Sequence, residues 1–112
     1  MKLYEIVNEL SLDVKSCVEG LQADVTGGYE SDLLSDVLAN SKKGDIWITL
    51  QTHQNIVAVA NVKGLAGIII VGRKEPQKDT LDKAEAEKIT IMTTSMSAFE
   101  TAGRIYQLVK ST

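Results

Sequence analysis

Gly67-Ile68-Ile69-Ile70-Val71 constrains this chain more than any other segment. Four consecutive β-branched side chains suit a pleated surface, and the run is too short for a buried helix. A strand with no polar side must be covered on both faces, so it should be a central strand with helices above and below. The chain supplies those partners in alternation. Leu33, Leu34, Val37 and Leu38 repeat at helical spacing behind Ser31 and Asp32, either of which can cap a helix start. Lys42-Lys43-Gly44 makes a polar turn, and Ile46-Trp47-Ile48 is a second short apolar run. A helix follows over residues 54–62, apolar at Ile56, Val57, Val59 and Ala60. Residues 73–78, with the only proline, Pro76, have loop composition; residues 79–88 read as a charged helix and 89–92 as a strand. Ser97 and Glu100 fit an S-x-x-E capping box opening a last helix over 97–108. Its inward face is read as Ala98, Ala102, Ile105 and Val109 with Phe99 and Tyr106. This alternation predicts an α/β fold: a mostly parallel sheet of about four to five short strands, flanked by helices and joined by right-handed crossovers.

The first thirty residues are less regular. Leu3, Ile6, Val7 and Leu10 form one stripe of a first helix. Residues 12–18 alternate, which predicts a half-exposed edge strand with Leu12, Val14, Ser16 and Val18 on one side and Cys17 on the polar side near Lys15. Residues 21–25 read as a further short strand leading to Thr26, Gly27 and Gly28.

Length and charge bound the function. At 112 residues, 44% of them hydrophobic, the chain is expected to form one domain over residues 1–112. No run approaches the ~18 apolar residues of a membrane span. The N-terminal stretch, with Glu5 and Glu9, does not resemble a secretion signal, so a cytoplasmic location is expected. One cysteine excludes an internal disulfide and, with one histidine, the common zinc sets. A net charge of -3 argues against nonspecific binding to nucleic acid or anionic membranes.

In open parallel sheets ligands bind beyond the carboxyl ends of the strands. Three loops are expected there, rich in hydroxyls and amides and each leading into a helix N-terminus: residues 24–32, 49–55 and 93–97. The candidate ligand contacts are Thr26, Gly27, Gly28, Ser31, Asp32, Thr49, Gln51, His53, Asn55 and Thr94. The adjacent glycines would allow positive φ and a close approach to a ligand. No Walker A pattern is present, and no lysine or arginine lies between Lys15 and Lys42, which argues against ATP-driven phosphoryl transfer. His53 is the only imidazole and the one candidate acid or base; its alternative role is a helix cap. A Ser-His-Asp set can be drawn from Ser31 or Ser35, His53, and Asp32 or Asp36, but the G-x-S-x-G elbow is missing. Asp24, Asp32 and Asp36 are better read as caps and solvated surface than as cation ligands. No catalytic residue, metal or cofactor is assigned.

The run Val25-Thr26-Gly27-Gly28-Tyr29-Glu30-Ser31-Asp32-Leu33-Leu34-Ser35-Asp36-Val37, then Ile46-Trp47-Ile48-Thr49, Gln51, His53 and Asn55, and the closing Ser97-Ala98-Phe99-Glu100-Thr101-Ala102-Gly103-Arg104-Ile105-Tyr106, resembles the DRTGG domain family over nearly the whole chain. The resemblance implies a fold similar to the N-terminal domain of HPr kinase/phosphorylase, without that enzyme's kinase domain. It implies a regulatory or accessory role, and the chain resembles the small stand-alone members encoded near iron-only hydrogenase subunits. One position departs from the motif: Val25 stands where the family has arginine, so any contact made by that guanidinium is absent.

Three expectations of function follow. The first is a non-catalytic regulatory or accessory domain, a homodimer or docked on a larger enzyme such as a hydrogenase. The alternative is a sensor of a nucleotide or other small anion held across the three loops. A small enzyme using His53 ranks last. The dimer expectation rests on the half-exposed strand at residues 12–18.

Overall fold

Right-handed crossovers that step in one direction across a sheet lay all their helices on the same face, and that rule organises this molecule. The computed structural model describes residues 1–111. Strands β1 (Asp13–Val14), β2 (Gly27–Glu30), β3 (Asp45–Thr49), β4 (Gly67–Ile70) and β5 (Ile91–Thr93) form one sheet in the order β1-β5-β4-β3-β2. β2 to β5 run parallel, and β1 pairs antiparallel with β5. The isoleucine strand β4 is central, as its sequence requires. The crossover helices α2 (Leu34–Asn40), α3 (Asn55–Lys63) and α4 (Lys78–Glu87) bury Val37, Ile56, Val57, Ala60 and Ala84 against Trp47, Ile68, Ile70 and Ile91 on one face. The terminal helices α1 (Leu3–Leu10) and α5 (Ala98–Lys110) cover the other face, where Leu3, Ile6 and Ile105 meet Ile46, Ile48, Ile69 and Met92. Neighbouring residues of each strand point to opposite layers, so the all-apolar strands feed two separate cores.

The departures cluster before residue 34. The edge strand expected over residues 12–18 has only two paired residues. Cys17 takes a left-handed backbone (φ 50°), which breaks the alternation. Cys17 is therefore buried instead of lying on the polar side, while Val18 is exposed. The strand expected at 21–25 is not formed. A 3₁₀ turn, Val18–Gln22, carries the chain onward, and only a single antiparallel bridge joins Lys2 and Asp24. The second strand instead starts at Gly27, so the glycines expected in a loop lie in β2. Neither has positive φ; the glycines that do are Gly44, Gly64 and Gly72.

Helix caps also differ. α2 has Leu33 at its cap position with no side-chain cap bond, because Ser31 Oγ accepts from Leu33 N–H (3.2 Å) and Asp32 is engaged elsewhere. Ser97 does cap α5, accepting from Glu100 N–H at 3.1 Å. On α5, Ile105 is buried as expected, but Phe99 is 91% and Tyr106 62% exposed. They face outward, because an α-helix on a sheet edge has room to bury only one stripe.

Candidate functional site

The ten candidate contacts do not share one rim. In the parallel ladder Gly27 pairs with Asp45 at the amino end of β3, while Thr49 ends β3. Thr26 and Gly27 therefore sit about 13 Å, the length of that strand, from the loops that follow it. At the amino end, Thr26 N–H donates to Gly44 O (3.0 Å) and its hydroxyl to Lys43 O (3.4 Å). A Cβ on Gly27 would stand 2.7 Å from Asp45 Oδ1, so the first signature glycine answers to a close approach within the sheet. Asp45 is itself buried and accepts from Lys42 N–H (2.8 Å). Val25, at the position of the motif arginine, is 2% exposed and packs in the core beneath α1 and α5. In this chain position 25 serves the core.

The carboxyl end gathers Ser31, Asp32, Thr49 and Gln51 into one polar network. Asp32 Oδ1 accepts from Thr49 Oγ1 (2.8 Å) and Leu50 N–H (2.7 Å), and Gln51 Nε2 donates to Asp32 O (2.8 Å). Trp47 Nε1 donates to Ser31 O at 2.9 Å, tying this network to the core. These bonds join β2 to β3 where the two strands end. His53 Nδ1 accepts from Asn55 N–H (3.1 Å), the capping alternative for this imidazole. Thr94 Oγ1 accepts from Met96 N–H (3.2 Å) beyond β5, two strands from β3. Among the described residues no group of three His, Cys, Asp or Glu side chains is placed to hold a metal ion. No helix among them is long and apolar enough to cross a membrane.

Beside the network, the Tyr29 hydroxyl donates to Asp36 Oδ1 (2.8 Å), as does Asn40 Nδ2 (2.8 Å). The Tyr29 bond, then those of Asn40 and Ser31, hold the Asp36 carboxyl below its ordinary 3.8. Hydrogen bonding to Asp36 raises Tyr29 above its ordinary 10.0. Asp36's contribution to stability is therefore present above pH 3.8 and lost as pH falls through the lower folded value, whereas that of Tyr29 is present below pH 10.0 and lost as pH rises. Tyr29→Phe is expected to flatten both limbs of the stability profile, read from urea midpoints across pH. Superimposable wild-type and variant profiles would show that the contact does not form in solution.

An open concavity lies elsewhere, between β2 and α5. It has a volume of about 1030 Å³, is floored by Thr26, Gly27 and Gly28, and is walled by Phe99, Ile105 and Tyr106. Gly28 points into it: a Cβ there would make only ordinary contacts, 3.5 Å from Ile46 and 4.0 Å from Ile105. β2 is an edge strand, so its outer backbone groups have no neighbouring strand. The signature glycines belong to this groove, and the sequence reading missed its α5 wall. The signal lies in Phe99 and Tyr106, seven residues apart on the helix, which face outward where the sequence predicts an inner face.

A five-stranded, mostly parallel sheet between two helix layers, with an open edge strand flooring a side groove, defines a small three-layer α/β domain. The chain belongs to the DRTGG domain family, whose model matches residues 18–108. No curated protein matches it. A solved structure of the CBS and DRTGG domains of the regulatory region of Clostridium perfringens pyrophosphatase, complexed with the activator diadenosine tetraphosphate, superposes with a TM-score of 0.76 at 21% identity. The match covers 95% of this chain and 46% of that one, so this chain spans about half its length.

Proposed function

We propose that this chain is a non-catalytic regulatory or accessory domain, a single unit over residues 1–112, that acts by docking through the β2–α5 face. The observation that carries this reading is the placement of Thr26, Gly27 and Gly28: they floor an open groove at the sheet edge, while His53 caps α3 beyond the other end of β3. The arrangement offers a surface to another molecule and assembles no acid-base set at the glycines. Docking on a larger enzyme is supported by the solved neighbour, whose DRTGG domain occurs in the regulatory region of a pyrophosphatase. An iron-only hydrogenase as that enzyme rests on the resemblance to hydrogenase-associated members alone.

A second reading has its own support. The neighbour was solved with a nucleotide activator, and a groove of about 1030 Å³ can admit a nucleotide or other small anion. A thermal-shift panel of diadenosine tetraphosphate, ATP, AMP and inorganic phosphate tests it, with Gly28→Val filling the floor. A ligand at a hundredfold its Kd should add ~2.7 kcal/mol to the folded state, a shift of several degrees in a domain of this size. A shift lost in Gly28→Val supports the sensor; no shift leaves docking as the function. Turnover abolished by His53→Ala would overturn both.

A further inference from the structure

Of the two edges of this sheet, only one is guarded against a further strand. β1 is two residues long and is followed by Lys15, which is ion-paired to Asp13 and Glu75. β2 pairs with β3 over four residues in unbroken register, with no bulge, proline or lysine. Ser31 N–H donates to Ile48 O (3.2 Å), so by alternation the N–H and C=O groups of Gly28 and Glu30 turn away from β3, to the open edge. Two glycines line the groove beside this edge without a contact in the chain that requires them. A Cβ on Gly28 would make only ordinary contacts, and one on Gly103 would meet nothing within 4 Å. Neither has positive φ, and glycine is a poor residue for a strand or helix interior. Together they leave a slot in the groove, where Gly103 stands between the exposed rings of Phe99 and Tyr106 along α5.

We propose that an extended segment of a partner protein pairs with β2 as a sixth strand, its residues in the order basic, any, aromatic, any, acidic. This rests on the docking reading above and names the occupant. Thr26, Gly28 and Glu30 share the α5 side of the sheet, and the residues opposite them on an added strand face the same way. α5 runs back across the sheet from the end of β5, which gives the groove an acidic and a basic end. Glu30 and Glu100 stand at the carboxyl end of β2, with no ion-pair partner among the described residues. Lys110 stands toward the amino end, its ammonium 5.5 Å from the centre of the Tyr106 ring. Arg104 marks neither end, because its guanidinium is drawn toward α1 by Glu9 O (3.3 Å). Antiparallel pairing, the more stable kind, sets the basic residue opposite Glu30, the aromatic ring in the slot opposite Gly28, and the acidic residue opposite Thr26 toward Lys110. An aromatic ring laid across a strand glycine supplies the packing that the glycine lacks.

Heteronuclear NMR of the isotope-labelled full chain, titrated with the end-blocked peptide Ser-Lys-Thr-Phe-Thr-Glu-Ser, tests this. A Kd of about 100 µM or tighter is expected, with the Gly28 and Glu30 amides shifted and slowed in hydrogen exchange. N-methylation of the peptide's lysine and phenylalanine, whose amides pair with β2, should abolish binding; N-methylation of its two threonines, whose amides point outward, should not. Glutamine in place of both the lysine and the glutamate should weaken binding about fivefold. No shift at about 1 mM peptide overturns the proposal and leaves docking through a folded surface of another enzyme intact. Equal affinity for the peptide methylated at lysine and phenylalanine, or for the uncharged peptide, overturns it as well. Gly28 and Glu30 amides that exchange slowly in the concentrated free chain and fast on dilution would put a second copy on the edge, and that too overturns it.

Discussion

Trp47→Ala is expected to lower folding stability by about 3–5 kcal/mol, a large share of the ~5–15 kcal/mol that holds a domain of this size together. Trp47 stands in the middle of β3 with no exposed surface and packs in the core beneath α2, α3 and α4. Truncation removes the largest fully buried side chain and opens a cavity between sheet and helices. It also strips Ser31 O of its indole donor at the end of β2, where Asp32, Thr49 and Gln51 tie the strands together. Trp47→Phe is the milder change, since it keeps one ring in the core and loses the indole N–H with only part of the buried volume, at about 1–2 kcal/mol. Urea denaturation followed by circular dichroism measures both, because Trp47 is the sole tryptophan and its fluorescence disappears with it. A loss below about 1 kcal/mol in Trp47→Ala would contradict the buried placement.

Ser16→Ala should cost about 2–4 kcal/mol, far more than one hydroxyl costs at a surface. The Ser16 hydroxyl is buried; it donates to Ile89 O (2.9 Å) and accepts from Ile91 N–H (3.0 Å). Alanine leaves both backbone groups unpaired inside the protein. The bonds lie next to the left-handed Cys17, whose N–H donates to the Glu85 carboxylate and whose carbonyl accepts from Thr90 Oγ1 (2.9 Å). This side-chain clasp holds the segment after β1 to the entrance of β5, in place of the strand ladder that the alternation implied. Hydrogen exchange reads it locally: amide protection at Ile91 should fall in Ser16→Ala before that of β3 and β4. Unchanged protection there, with unchanged stability, would show that the clasp contributes nothing.

The helices and the three inner strands were legible because their side chains state their own burial. Ile68, Ile69 and Ile70 can only be interior, and Val57 and Ala60 repeat at the spacing of a covered helix face. The resemblance was legible for a different reason: it rests on short motifs whose residues need not be adjacent in space. The candidate site was not. Reading Gly27 and Gly28 as a turn displaced β2 by several residues and moved Thr26 to the wrong end of the sheet. Glycine in a strand looks like glycine in a loop until the neighbour that demands it is in place, and that neighbour is Asp45, far along the chain.

By itself the sequence determined that this is an α/β domain with an isoleucine strand at the centre of a mostly parallel sheet, because hydrophobic periodicity and β-branching are local properties of the chain. Only the tertiary structure decided which end of the sheet holds each polar residue, that Asp32 and His53 serve internal bonds, and that the outer stripe of α5 stays open above the β2 groove. Those outcomes depend on register and layer order, which arise from contacts between segments tens of residues apart. The free energy of such contacts is written in the packed pair and in neither segment alone.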